Sequence, residues 1–283
     1  MSKTEKIWII VAASLVLVGC LIFGGIMMAL DWNFLKLSTT KYDAKSYEIT
    51  ENFTSISVKT NTADVIVAPS EDGQCRVECY EQKKLEYLVS VKEGELIIEL
   101  NDTRKWYERI GVDFESSKIT VYVPHAEYDT VTVKSNTGSI SVKELSFSAL
   151  DLSVTTGKIA VSDITCYGDL NVRCSTGKVE IRNVNCKNLT SHGGTGDISL
   201  CNLIASGKLS IKRSTGDVRF EASDAAEILV NTDTGDVKGT LLTDKIFIAR
   251  TDTGRIDVPK TVTGGKCEIT TDTGDIKITV SAN

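Results

Sequence analysis

Apolar residues recur along most of this chain with two superimposed periods. The short one is strand alternation, apolar at every second position. The long one returns every 19 or 20 residues and is marked by Thr-Gly pairs, with glycine at Gly138, Gly157, Gly177, Gly196, Gly216, Gly235, Gly254 and Gly274. One further pair, Thr263-Gly264, falls out of phase. Two residues after each in-phase glycine stands a β-branched residue, from Ile140 and Ile159 to Ile256 and Ile276. Seven and five residues before it the chain is again mostly apolar, as at Leu150 and Leu152 or Ile228 and Val230. Counted from the glycine, the predicted inward positions are −7, −5, −3, −1 and then +2, +4. The alternation breaks at the glycine and its successor, so each repeat predicts two strands joined at a Thr-Gly corner. Glycine suits that corner because it reaches positive φ without a Cβ clash.

A repeat this short has no room for a crossover helix and buries its apolar face only by stacking on copies of itself. The predicted fold is therefore all-β: a parallel β-solenoid (β-helix) of about eight to nine coils, 19–20 residues each. Eight coils at ~4.8 Å would make a rod about 38 Å long. The stretch SISVKTNTADVIVAP fits the template through Ile56, Val58, Thr62, Val65 and Val67, with Ala63 where glycine is expected. It predicts the first coil. Between it and Val131, CRVECYE, LEYLVSVKEGELIIEL and KITVYVP predict strands, the middle one a hairpin turning at Glu93-Gly94. NDTRKWYERIGVDFESSK predicts a long loop. This N-terminal β-meander insertion is expected to cap or widen its end of the solenoid.

Ahead of the repeats, Ile7 to Leu30 is a run of 24 residues without a charge. As a helix it would extend about 36 Å, enough to cross a bilayer with some tilt. Lys3 and Lys6 precede it and favour a cytoplasmic N-terminus, while Trp32 suits the opposite interface. The expectation is a single-pass anchor in the cell membrane with the C-terminal domain extracellular. Two rivals are a lipoprotein processed at Cys20 in LVGC and a cleaved secretory signal. The first sits badly with ten more apolar residues after Cys20, the second with the length of the run and the lack of a small-x-small site. The expected organisation is a cytoplasmic tail (1–6), a transmembrane signal-anchor helix (7–30), a juxtamembrane linker (31–47), the first coil with the β-meander cap (48–130), and the solenoid repeats (131–283).

Setting aside Lys3, Lys6 and Glu5 leaves 30 basic against 37 acidic residues, a net charge of −7. That balance argues against nucleic acid as a partner. Aspartates crowd three corners, as Asp233 and Asp236, Asp252, and Asp272 and Asp275. They raise the question of calcium, but they flank a bend in outward positions, and Arg255 would sit between Asp236 and Asp275 in their column. Turn chemistry is the expectation. The column from Thr137 to Thr273 invites comparison with ice-binding surfaces, yet position −1 predicts an inward ladder of hydroxyls bonded to corner backbone. Cys166 and Cys186 both lie nine residues after a glycine and should stack; that spacing allows a disulfide, and buried thiols filling the core are the commoner arrangement. His125 and His192 lie near no cysteine in sequence, and no zinc spacing occurs. No catalytic, cofactor-binding or metal-ligating residue stands out, and a non-catalytic protein is expected. Gly239 interrupts an otherwise apolar column.

The repeated [ST]-x-T-G-[DK]-[IV]-x-[IV] pattern resembles the putative-adhesin β-strand-repeat family of bacterial surface proteins, which includes LiaG-like proteins encoded near cell-envelope stress systems. The likeness covers roughly residues 46 to 280, and an N-terminal segment of the GGIMMALDWNFLKLST type is common in Gram-positive relatives. The family is a domain of unknown function. The resemblance implies a surface location, adhesion or envelope sensing, and a cell-wall component or surface protein as partner; it carries over no catalytic residues. Two alternatives come from the residues themselves. One is a self-assembling surface scaffold, because the last repeat ends at DIKITVSAN with no evident cap and would leave an open edge. The other is a polysaccharide-active β-helix enzyme, which would need a carboxylate-lined groove.

Overall fold

The computed structural model describes residues 2–33, 42–106 and 116–281. An N-terminal helix and a β domain are its two parts. The helix, α1, runs Lys3–Ala29 and begins in a capping box: the Ser2 hydroxyl accepts the Glu5 N–H, and the Glu5 carboxylate accepts the Ser2 N–H. By length and composition it can cross a membrane.

In the β domain the chain winds as predicted. Strands β8 (Glu127–Thr137), β9 (Ile140–Lys143), β10 (Ser146–Thr156), β11 (Ile159–Thr176), β12 (Val179–Thr195), β13 (Ile198–Thr215), β14 (Val218–Thr234) and β15 (Val237–Leu241) stack in parallel register. Like stands on like: Leu170 pairs with Leu189, and Ile159 pairs with Val179. These columns are fully buried, so every inner coil contributes the same apolar stripe to one continuous core.

The coil has more corners than the two strands read from the sequence. Six residues after the glycine the chain turns again, and Glu144, Asp163, Asn183, Asn202 and Ala222 all take φ between 46° and 57°. Asp and Asn tolerate that left-handed conformation better than other non-glycine residues. Here their side chains also form a ladder, the Asn183 Nδ2 donating to Asp163 Oδ1 at 2.7 Å and the Asn202 Nδ2 to Asn183 Oδ1 at 3.0 Å. A register shift follows between Cys166 and Asp169. Each inner coil thus has a third, short face, which carries Ile164 and Cys166 or their equivalents.

Stacking order departs from chain order at both ends. Strands β2 (Ser55–Lys59) and β3 (Ala63–Pro69) do form a coil, but an inner one. Ile56 pairs with Val131 on one side and with Leu96 on the other. The outermost parallel coil is β6 (Glu95–Asp102) with β7 (Ser117–Val123), drawn from the insertion. Beyond it β5 (Leu85–Lys92) pairs antiparallel with β6, β4 (Cys75–Gln82) with β7, and β1 (Tyr42–Ile49) with β4. The insertion therefore both extends and caps the solenoid, with its hairpin at Glu93-Gly94, both at positive φ. Residues 42–47, expected in the linker, belong to β1; 34–41 and the 107–115 part of the expected loop lie outside the described residues.

At the other end, β18 (Gly265–Thr273) and β19 (Ile276–Val280) slot beneath β16 (Lys245–Thr253) and β17 (Ile256–Asp257). Cys267 pairs with Ile228 below and Phe247 above. The glycine corners run 216, 235, 274, 254. Two expectations are thereby corrected. Arg255 does not lie between Asp236 and Asp275, which are neighbours; and the open edge belongs to β16 and β17 together with residues 278–280, the part of β19 in DIKITVSAN that β17 does not cover. The chain climbs two coil rises, ~9.6 Å, between Leu241 and Lys245, within reach of four extended residues. Gly239 lies in the middle of β15 at φ 141°, paired with Phe220 below and Ile278 above.

Candidate functional site

The Thr-Gly corner is built by close approach. A Cβ on Gly177 would lie 1.7 Å from the Gly157 carbonyl oxygen, and φ there is 136°. Each corner N–H except one meets a backbone partner in the next coil: the Gly196 N–H donates to Thr215 O and the Ile198 N–H to Asp217 O. The residue between them, at +1, is left over, and aspartate supplies what is missing. Asp197 Oδ1 accepts the Asp217 N–H, Asp217 Oδ1 the Asp236 N–H, Asp236 Oδ1 the Asp275 N–H, and Asp275 Oδ1 the Arg255 N–H, at 2.7–3.1 Å. Asp64 does the same for Ser139. The carboxylates are thus hydrogen-bond acceptors that complete the corner. Among the described residues no three His, Cys, Asp or Glu side chains gather as a metal site.

The threonine column is not inward. Every threonine from Thr137 to Thr273 in it is exposed, and Thr62 extends it. The bend begins one residue earlier than the alternation suggests, so −1 already faces solvent beside −2. The expected buried hydroxyls exist at −3 instead. Thr251 donates to Gly274 O and Thr271 to Gly235 O.

That −3 column also holds a group the sequence reading missed. Arg213 is 1% exposed, with Nη1 on Cys174 O and Nη2 on the Ser191 hydroxyl. It fits because the neighbouring coil has Gly193 at −3, where a Cβ would lie 1.6 Å from Nη1. Burial lowers its pKa from the ordinary arginine value. A charged residue in an inward column otherwise made of small uncharged side chains, one period after a glycine, was the available signal.

Cys166 and Cys186 are register partners, as expected, and both are buried free thiols. Burial pushes the thiols of Cys79, Cys186 and Cys267 up to about 12, which suits space-filling rather than nucleophilic cysteine. Cys20 lies in α1. His192 is outward between Arg173 and Lys212, and His125 is exposed at the end of β7.

A concave surface that combines aromatic rings with oriented charges lies on the N-terminal sheet. Two clefts, of about 350 and 810 Å³, share Lys118, Thr120 and Tyr122. They cross the outer face of β1, β4, β7, β3 and β9. Tyr80 stacks on Tyr42 with ring centroids 4.9 Å apart, and the Arg76 guanidinium lies 5.1 Å from the Tyr122 ring centroid. Arg76 is oriented by Glu78 at 3.1 Å and Asp72 at 3.5 Å; His125 lines the larger cleft. Antiparallel pairing of Arg76 with Tyr122 and Glu78 with Thr120 brings these groups together. Alternation in CRVECYE already turns Arg76, Glu78 and Tyr80 away from Cys75, Val77 and Cys79, but their partners on β7 are not visible without the pairing.

The family described as Toastrack DUF4097 matches residues 53–168 and again 165–283, so α1 and β1 lie outside the matched part. Among solved structures, a putative adhesin from Bacteroides fragilis is similar with a TM-score of 0.52 at 19% identity, over 84% of this chain and 97% of its own. A putative lipid binding protein from Parabacteroides distasonis gives 0.54 at 12% identity, over 86% and 98%. At such identities the likeness is one of fold. No curated protein is significantly similar to the chain.

Proposed function

Because the chain belongs to the Toastrack DUF4097 family, we propose that it is an adhesin-like surface protein whose β domain binds a cell-wall component or another surface protein. On this proposal α1 anchors it as a single-pass protein, with Lys3 and Lys6 in the cytoplasm and the β domain outside. What supports the anchor is the length and apolarity of α1. The observation that carries the binding role is the pair of joined clefts on the N-terminal sheet, where Tyr80 and the paired Arg76 and Tyr122 lie among Lys118, Thr120 and Glu78. Aromatic faces among oriented polar groups are the usual makings of a recognition surface. The proposed role is non-catalytic. Among the described residues neither His125 nor His192 is hydrogen-bonded to a Ser, Cys or carboxylate side chain, as a base-activated nucleophile would require.

The test uses intact cells carrying the full chain. Protease shaving should remove the β domain, and a protected domain would overturn the topology. Solubilised protein should be retained on purified cell walls, with retention lost in an Arg76→Ala/Tyr122→Ala double variant. Equal retention of that variant would remove the cleft from the proposal.

A further inference from the structure

Two outward columns are polar through the inner coils, apart from half-buried Ala149 and Leu229, and turn to isoleucine in the last coil. Six residues before the glycine they carry Asn171, Thr190 and Ser210, then the exception Leu229, then Glu268, and finally Ile248 in the terminal coil. Eight residues before it they carry Lys208, Glu227 and Lys266, and finally Ile246. Ile246 and Ile248 are 45% and 51% exposed, and Ile256, whose counterparts Val237 and Ile276 are completely buried, is 47% exposed.

This end is not frayed. Lys245 at the start of β16 forms an ion pair at 2.5 Å with Asp224, and both side chains are nearly out of solvent. The Thr261 hydroxyl donates to Lys245 O. Below it, the N–H groups of Gly274 and Ile276 donate upward to Thr253 O and Arg255 O. The equivalent N–H groups of Gly254 and Ile256 find no coil above them among the described residues. An ordered strand edge and an apolar patch therefore coincide.

We propose that the terminal coil is a homodimer interface, in which β16 of one copy pairs antiparallel with β16 of a second copy across a two-fold axis. A second copy is the occupant because the two ends of the β domain differ. Its N-terminal edges are β1 and β5, antiparallel, with Asp43 and Glu48 exposed on β1 and Glu86 and Lys92 flanking Leu88 on the outer face of β5. Such edges do not continue a parallel coil, so head-to-tail stacking has no receiving face. End-to-end pairing of the two apolar ends matches like with like and closes at two copies. The open-ended scaffold suggested by the sequence becomes a closed pair. The interface lies on strands separate from the clefts, so it stands or falls independently of the binding role.

Full chain in density-matched detergent should sediment as a dimer that dissociates on dilution. An Ile246→Lys/Ile248→Lys variant should keep its melting temperature, both side chains being outward, while its dimer dissociation constant rises at least ~10-fold. A bismaleimide should cross-link Ile248→Cys in a Cys20→Ala background into a covalent dimer. A wild type that stays monomeric, a dimer that survives the lysine variant (pairing through α1), growth beyond two copies, or no cross-linked dimer would each overturn the proposal.

Discussion

The two ends of the solenoid share one device and differ in how they finish. At each, the coil nearest the chain terminus is tucked inward: β2/β3 lies under β6/β7, and β18/β19 lies under β16/β17. The N-terminal end then adds three antiparallel strands whose outward positions are mostly charged or polar, whereas the C-terminal end stops at a parallel strand with two outward isoleucines followed by an ion pair of Arg250 with Asp252. One end is sealed against pairing and the other is built for it. Inner coils need only repeat a residue pattern; an end needs a decision about what comes next.

Three experiments press on that contrast. The largest effect is expected from Gly177→Ala, whose Cβ meets the Gly157 carbonyl at a φ no alanine favours. It should cost about 3 kcal/mol or more and lower the melting temperature of the whole domain. Gly254→Ala faces a similar clash with Gly274 O, but should cost hydrogen-exchange protection only around residues 245–257, since in a stacked array damage at an end stays at the end. Equal global melting shifts for the two variants would erase the distinction between inner and terminal coils.

The second tests the order of the last two coils. Thr234 pairs with Thr273, and Thr273 with Thr253. Cysteines at 234 and 273 stand one coil rise apart, ~4.8 Å, and should bridge, while cysteines at 234 and 253 stand ~9.6 Å apart, beyond disulfide reach. Bridging of 234 to 253, seen by non-reducing electrophoresis and peptide mapping, would restore the sequential order.

The smallest effect belongs to the corner carboxylates. Asp236→Ala removes the acceptor of the Asp275 N–H and should cost about 1 kcal/mol. The Lys238 hydrogen bond, then the Asp275 N–H, hold the Asp236 carboxyl below its usual range. A depressed pKa contributes stability above the unfolded value of ~3.9 and loses it as pH falls through the folded value. The gap between wild type and Asp236→Ala should therefore close in acid. Calcium should leave the melting temperature of both unchanged; a rise in the wild type alone would make these aspartates ligands after all.

The coil itself was legible because its signals are local: the glycine corner, the inward columns and the hairpin at Glu93-Gly94 each follow from residues close in sequence. The second corner was legible too, in the spacing of Asp163, Asn183 and Asn202, but it is quieter because Asn and Asp at a left-handed turn look like ordinary polar positions. Stacking order was not legible. Every coil presents nearly the same columns, so the pattern at Asp275 fits against Asp236 as well as Arg255 does, and the 19–20 residue spacing runs unbroken through the exchange. Only the out-of-phase Gly264 marks where the chain re-enters the stack. The clefts were half legible: strand alternation exposes Tyr80 and Tyr122, but only the antiparallel pairing of β4 with β7 makes them neighbours.

The tucked final coil also sets a rule for synthesis and export. A chain emerging N-terminus first reaches β16 and β17 before the strands they rest on exist. They have no sheet partner until residues 265–280 have followed and slipped in beneath them. Completion of the fold thereby waits on residues 265–280, and a product cut short after residue 257 would present the isoleucines of its last coil with no strand beneath them.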